Sequence, residues 1–185
     1  MSWSNRMIVS RLVVGAAVLA GVSGGARADV VDDWNQIALQ TFRETGGGPG
    51  FMARTAAMMH SAMYDVLNSM DPEHEPIVAY VRPRKNTGRD VAVAQAAHDV
   101  LVSIYPTRKR IYDRALRRTM DAQPAGVREN NAVALGSAIA QRVIAARSGD
   151  GMLDTVEYRF ISRPGSYILT EPDVNPRVVG TQYPF

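Results

Sequence analysis

Between Asp29 and Gly151 apolar residues recur three and four positions apart, and Gly and Pro cut that pattern into five stretches of helical length. The first predicted helix runs from about Val31 to Thr45. Trp34, Ile37, Ala38 and Phe42 form its stripe, and Asp32 and Asp33 fill the first turn, where carboxylates meet the helix dipole favourably. Gly46-Gly47-Gly48-Pro49 ends it and places a proline at the opening of the next helix. That second helix, about Pro49 to Met70, carries two adjoining apolar stripes. One is Met52, Ala56, Met59, Met63, Val66 and Met70; the other is Ala53, Ala57, His60, Tyr64 and Leu67. A helix apolar around so much of its circumference is expected in the middle of a bundle. Its alanines let neighbours approach, and its methionines fill irregular gaps.

Asp71-Pro72, Glu75-Pro76, Arg82-Pro83 and Gly88 make residues 71–89 a loop or extended strap. A third helix is expected from about Asp90, with Val93, Ala97, Val100, Leu101 and Ile104 inward. Pro106 breaks the pattern, and Thr107 is the expected N-cap of a fourth helix that reaches about Ala122. Pro124 opens a fifth, expected to be the longest, to about Arg147. Ala132, Leu135, Gly136, Ile139, Val143 and Ala146 face inward, and Ser148-Gly149-Asp150-Gly151 supplies a glycine stop. Beyond Gly151, strand-like Tyr158, Phe160, Ile161, Tyr167, Ile168 and Leu169 are interrupted by Pro164, Pro172, Pro176 and Pro184. The expected architecture is all-α: a bundle of about five helices over 29–151, then an irregular Pro-rich tail over 152–185. That tail either wraps the bundle or links it to a surface absent from the chain.

Met1–Ala28 reads as a secretory signal peptide. Arg6 and Arg11 form a positive n-region, Leu12–Val22 is an uncharged apolar run, and Ala26-Arg27-Ala28 is the cleavage site. The run has 11 residues, short of the roughly 20 that a spanning helix needs. The expected product starts at Asp29 and is secreted or periplasmic, with no stable membrane anchor. Charge changes meaning with that cleavage. The whole chain has 21 Lys+Arg against 18 Asp+Glu; removing Arg6, Arg11 and Arg27 leaves 18 against 18. A nucleic-acid binder usually carries a basic excess, so nucleic acid is not an expected partner. With no cysteine among 185 residues, disulfides, thiolate metal sites and cysteine nucleophiles are excluded.

Three clusters could carry chemistry. His60 and His98 sit on helices and, with Asp65 or Asp99, suit metal ligation or acid–base work; the alternative is two buried histidines hydrogen-bonded between helices. No Glu-x-x-His repeat accompanies them, which favours the structural alternative. Glu73-His74-Glu75, between prolines, is a weak cation site or a solvated turn. Arg108, Lys109, Arg110, Arg114, Arg117 and Arg118 give the fourth helix a cationic side, with Arg110, Arg114 and Arg117 in line and Ile111, Ala115 and Met120 opposite. They suit phosphate, an anionic membrane or an acidic partner, or simply form a charged outer face with Asp113 pairing to Arg117. Nucleophile-elbow, phosphate-loop and dinucleotide motifs are absent from the sequence.

Several runs together carry a family likeness. They are Asp33-Trp34-Asn35 with Ile37-Ala38; Arg54 through Asn68, containing Ala62-Met63-Tyr64-Asp65 and Asn68; Ala96-Ala97-His98-Asp99-Val100-Leu101 with Tyr105-Pro106; and Leu135-Gly136, Ala140 and Arg147-Ser148-Gly149-Asp150-Gly151. In these runs the chain resembles the N-terminal helical region of bacterial vanadium-dependent haloperoxidases, of the type 2 phosphatidic acid phosphatase superfamily. The resemblance spans about Asp29 to Gly151 and, more loosely, the tail. It implies an α-helical enzyme whose C-terminal half holds vanadate and oxidises halide with peroxide. The oxyanion is held there by lysine, arginine, serine and histidine donors, which neutralise its charge.

The family's catalytic motifs do not map onto this chain. Glu75 and Val156 stand seven residues before Arg82-Pro83 and Arg163-Pro164, where the family has lysine; no Pro-Ser-Gly-His occurs, and no histidine follows His98. No catalytic, cofactor-binding or metal residue is therefore assigned, and His60 and Asp65 match helix-packing positions of the family. The expectation is an exported, non-catalytic scaffold half of a haloperoxidase-like protein, with vanadate bound only by the absent C-terminal half. Its expected partner is that half, or a homologous helical surface, a homo-oligomer included. The alternative is a stand-alone helical module that binds another protein.

Overall fold

The computed structural model describes residues 29–123, 125–152, 154, 156–157, 164–165 and 181–182. Among them the chain is all-α, with five α-helices: α1 (Val30–Thr45), α2 (Pro49–Met70), α3 (Arg89–Ile104), α4 (Lys109–Asp121) and α5 (Val127–Ala146). A single 3-10 turn, Pro106–Arg108, leads into α4. In the tail a two-residue antiparallel pairing sets Val156 opposite Gln182 and Glu157 opposite Thr181. The signal-peptide segment 1–28 and most of the tail, including Tyr158, Phe160, Ile161, Tyr167, Ile168 and Leu169, lie outside the described residues.

Local chemistry sets the helix ends. Pro49 occupies the first turn of α2, and Gly46 closes α1 with φ of +66°, a left-handed conformation that costs glycine nothing. The end of α5 is built differently from the expected glycine stop. The backbone N–H of Arg147 donates to Ile144 and that of Ser148 to Ala145, both at 3.2 Å, so the helix ends ahead of Gly149. At 20 residues α5 is also shorter than α2, at 22. Thr107 makes no cap: it lies inside the 3-10 turn, and α4 opens at Arg108 without a side-chain cap. Pro106 cannot donate a backbone hydrogen bond, and the tighter turn takes up the change of direction.

The centre of the bundle is α3, not α2. Val91, Ala92, Val93, Ala94, Ala96, Ala97, Val100 and Leu101 are each at most 1% exposed, and α1, α2, α4 and α5 all pack against this helix. Size explains it. Small side chains all round α3 let four neighbours close on it. At Gly136 of α5 an added Cβ would collide with the Ala92 carbonyl oxygen and stand 2.8 Å from Gln95 Cβ. Only glycine fits a crossing that tight.

The second stripe expected to be buried on α2 faces outward. Ala53, Ala57 and His60 are exposed, and Tyr64 and Leu67 are half-buried. Its core face instead carries Thr55, Met58, Met59, Ala62, Met63, Asp65, Val66 and Ser69. The inner side of α4 is likewise turned: Tyr112, Ala115 and Leu116 are buried, whereas Ile111 is 38% exposed. On α5 the expected positions Ala132, Leu135, Gly136, Ile139 and Val143 are buried, while Ala146, in the last turn, is exposed.

Residues 71–88 form an extended strap that lacks regular hydrogen-bonded structure of its own. Several of its backbone groups are satisfied by polar side chains of α2 and α5. Asp65, fully buried, accepts the backbone N–H groups of Ile77, Val78 and Ala79 at 2.7, 2.9 and 2.9 Å. Asn68 accepts the His74 N–H at 3.1 Å and donates to its carbonyl at 2.7 Å. Ser69 accepts the Val81 N–H at 3.2 Å, and Arg142 of α5 donates to the Tyr80 carbonyl at 2.7 Å. A buried carboxylate with three amide donors is a satisfied one, which is the condition for its being buried at all.

Candidate functional site: the charged cluster at His98

Four helices contribute to one ionised cluster. His98 lies on the buried side of α3, 8% exposed. Its Nδ1 is 2.8 Å from Asp99 Oδ1, and its Nε2 is 2.8 Å from Asp113 Oδ1 on α4. Gln95, one turn earlier, donates to Asp99 Oδ1 at 2.7 Å, and Ser137 of α5 donates to Asp99 Oδ2 at 2.6 Å. Lys109 donates to both oxygens of Asp113, at 2.8 and 2.7 Å. From α1, Trp34 meets the imidazole edge-on, with centroids 6.3 Å apart and an interplanar angle of 89°.

This geometry biases the protonation state. A carboxylate can only accept, so a carboxylate on each ring nitrogen favours the doubly protonated imidazolium form of His98. Burial pulls its pKa down, but the hydrogen bonds and charges of Asp99 and Asp113 outweigh that, and the value stands above the ordinary 6.5. Burial pushes the Asp99 carboxyl up, yet donation from His98, Ser137 and Gln95 holds it below the usual carboxylate value. Asp113 is lowered first by Lys109 and then by His98. Two carboxylates and two cations balance, so the cluster carries no net charge into the interhelical space.

Chemically, the arrangement clamps rather than reacts. With both nitrogens engaged, His98 offers no lone pair to a metal ion or a substrate proton. Ser137 donates to the Asp99 carboxylate and not to an imidazole, so no serine–histidine pair forms. Among the described residues no three His, Asp or Glu side chains gather in a metal-holding group.

The residues considered from sequence are dispersed. His60 is exposed, not buried, and its Nε2 stands 3.3 Å from Asn35 Oδ1 on α1, so it does not pair with His98. Asp65 holds the strap. Glu73, His74 and Glu75 lie in an exposed turn pinned through the His74 backbone by Asn68. Asp113 pairs with Lys109, four residues before it, and with His98, rather than with Arg117. Arg108 bonds Glu44 of α1. Arg110, Arg114, Arg117 and Arg118 are exposed and make no ion pair among the described residues.

A groove of about 720 Å³ runs between the start of α1 and the end of α4. Val30, Trp34 and Ala115 contribute apolar surface to it, and Asp29, Asp33, Asp90 and Arg118 add charge. Among the polar members of the His98 cluster, Gln95, Lys109, Asp113 and Ser137 were not singled out as its partners by periodicity alone. Asp113 and Ser137 carry a sequence signal, being polar residues at the edge of an apolar stripe. Comparison with protein-family models, with curated proteins and with solved structures finds no match to this chain.

Proposed function

We propose that the chain is the exported, non-catalytic N-terminal scaffold half of a vanadium-dependent haloperoxidase-like protein, secreted or periplasmic after cleavage near Ala28. One observation carries it. The polar residues of the most specific run, Ala62-Met63-Tyr64-Asp65 with Asn68, are spent on fold-making contacts, with Asp65 and Asn68 holding the strap. His98 and Asp99, from the next run, form a closed ionic clamp. Side chains used in this way suit a domain that supports a reactive centre supplied elsewhere. Vanadate and peroxide chemistry would belong to a C-terminal half bearing the lysine, arginine and histidine donors. Among the described residues no helix is long and apolar enough to cross a membrane.

A second reading, a stand-alone helical module that binds another protein, is favoured by the closure of the core. The buried residues form one continuous cluster around α3. Large exposed apolar side chains among the described residues are few: Ile77, Val78, Tyr80, Ile111 and Val127. Such a bundle has what it needs to fold cooperatively alone.

The intact mass of the native protein in the exporting cell's periplasm or medium separates them. The scaffold reading expects a mass well above that of 29–185 and, for the chain 1–185 given vanadate, peroxide and bromide, bromination at background. A native mass matching 29–185 transfers the weight to the binding module. Bromination well above background by the chain 1–185 refutes both.

A further inference from the structure

We infer that the outer face of α4 is a docking surface for an anionic phospholipid bilayer. Arg110, Arg114 and Arg117 recur at the four- and three-residue spacing of one helix face, and Arg118, four residues after Arg114, borders that face where it meets the groove lined by Asp29, Asp33 and Asp90. All four are exposed, and none has a carboxylate within ion-pair distance among the described residues. The remaining cations at the start of the helix are already used, Arg108 by Glu44 and Lys109 by Asp113. The cations at the start of the helix are thus paired, and the arginines further along it are not, among the described residues.

The inner face explains why this outer face stays presented. Tyr112 is fully buried and shares a 3.0 Å hydrogen bond with Thr41 of α1, and Ala115 and Leu116 seat the helix in the core. Asp113 ties it to His98 of α3. A helix anchored on one side so firmly cannot turn its arginines inward. They cover a rigid, flat strip about 12 Å long from Arg110 to Arg118, at 1.5 Å rise per residue.

Two features select a bilayer over an acidic polypeptide. Guanidinium groups bind phosphate through paired donors, and a row of them matches a plane of headgroups without requiring a fixed sequence of acceptors. Ile111, 38% exposed at the edge of the strip, adds an apolar side chain that a headgroup layer accommodates. Asp121 lies at the end of the helix, and Asp29, Asp33 and Asp90 line the groove that Arg118 borders, so acidic groups flank one end of the strip. The surface is therefore weak and salt-sensitive by construction, and it stands whether or not the haloperoxidase reading does.

The test is flotation of the full chain with vesicles of phosphatidylcholine alone, or of phosphatidylcholine with one-quarter phosphatidylglycerol. The phosphatidylcholine arm measures whatever Leu12–Val22 contributes, which the arginines do not affect. Binding should rise with phosphatidylglycerol and fall as salt shortens the screening length to below about 10 Å. Each basic residue near an anionic surface is worth about fivefold in affinity. The Arg114→Gln/Arg117→Gln variant should therefore lose on the order of 25-fold, and Arg114→Glu/Arg117→Glu more. Far-ultraviolet circular dichroism checks that both stay folded. Equal binding to both vesicle types, variants that float as the parent does, or retention on polyglutamate without flotation on phosphatidylglycerol would each overturn the proposal.

Discussion

Asp65 is the residue whose removal should tell most about this fold. Its carboxylate is fully buried and accepts three consecutive strap amides, from Ile77, Val78 and Ala79, the last two on the same oxygen. A hydrogen bond to a charged group contributes about 1.5–3 kcal/mol net, and a buried donor left without a partner costs about 1–3 kcal/mol. The three amides are not equivalent. Ile77 and Val78 are exposed residues and can rehydrate, whereas Ala79 is 7% exposed and cannot without the strap lifting. Counting about 1 kcal/mol for each rehydrated amide and 2–3 for the buried one, Asp65→Ala should cost roughly 4–5 kcal/mol. That is a large share of the ~5–15 kcal/mol by which a domain is usually stable.

Asp65→Asn separates charge from shape. However the amide is turned, its NH2 faces at least one strap N–H, so about half the loss should remain. Urea unfolding followed by circular dichroism gives the stability. Trypsin gives the locality, because Arg84 and Lys85 lie in the strap and should be cut faster in both variants. An Asp65→Ala protein within about 1 kcal/mol of the parent, with unchanged cleavage, would refute the claim that this carboxylate organises residues 71–88.

Other outcomes follow from the packing and the charges. Gly136→Ala should destabilise by roughly 1–2 kcal/mol, because a clash with the Ala92 carbonyl outweighs the ~1 kcal/mol that alanine gains over glycine in a helix; a stabilised variant in thermal melts would refute the close α3–α5 crossing. His98 has a raised folded pKa, so its contribution is fully present below about 6.5 and is lost as pH rises through the folded value. Asp99 and Asp113 have lowered values, so theirs is lost only as pH falls through values below 3.8. The melting temperature should be flat between these limits and decline on the alkaline side, and His98→Gln should remove that alkaline decline. Tyr105 Oη is buried with no partner among the described residues, so Tyr105→Phe should leave stability unchanged or raise it by up to about 1 kcal/mol; a clear loss in urea midpoint would refute it.

How far the fold could be read in advance depended on what each signal measures. Helix existence was legible because Gly46-Gly47-Gly48-Pro49 and Pro106 punctuate the chain and the three-to-four spacing between them is regular; α1 to α3 begin and end within a residue of expectation. The order of burial was not legible, because periodicity weighs hydrophobicity and the bundle is decided by volume. Met52, Tyr64 and Leu67 made α2 look central, yet the helix that four others can surround is the one built from Ala92, Ala94, Ala96 and Ala97. The buried face of α2 was misplaced for a related reason. Thr55, Asp65, Asn68 and Ser69 lie within it, and a hydrophobic count scores them against burial. Their sense appears only beside a Pro-rich strap whose amides need acceptors.

The His98 cluster shows the same limit from the side of charge. His98 and Asp99 are adjacent in sequence and stood out there beside His60 and Asp65, but which partner completes them is set by how Pro106 turns the chain. The 3-10 turn at Pro106–Arg108 brings Asp113 over Nε2, and once that happens the histidine changes category. With one carboxylate it could serve as a base or a ligand, since the other nitrogen would keep its lone pair. With two it is a cation with nothing left to give, and its energy goes into holding α3, α4 and, through Ser137, α5 in one register. Chemistry and architecture compete here for the same side chain, and architecture has taken it. The clamp and the strap together hold the helices of the bundle in place.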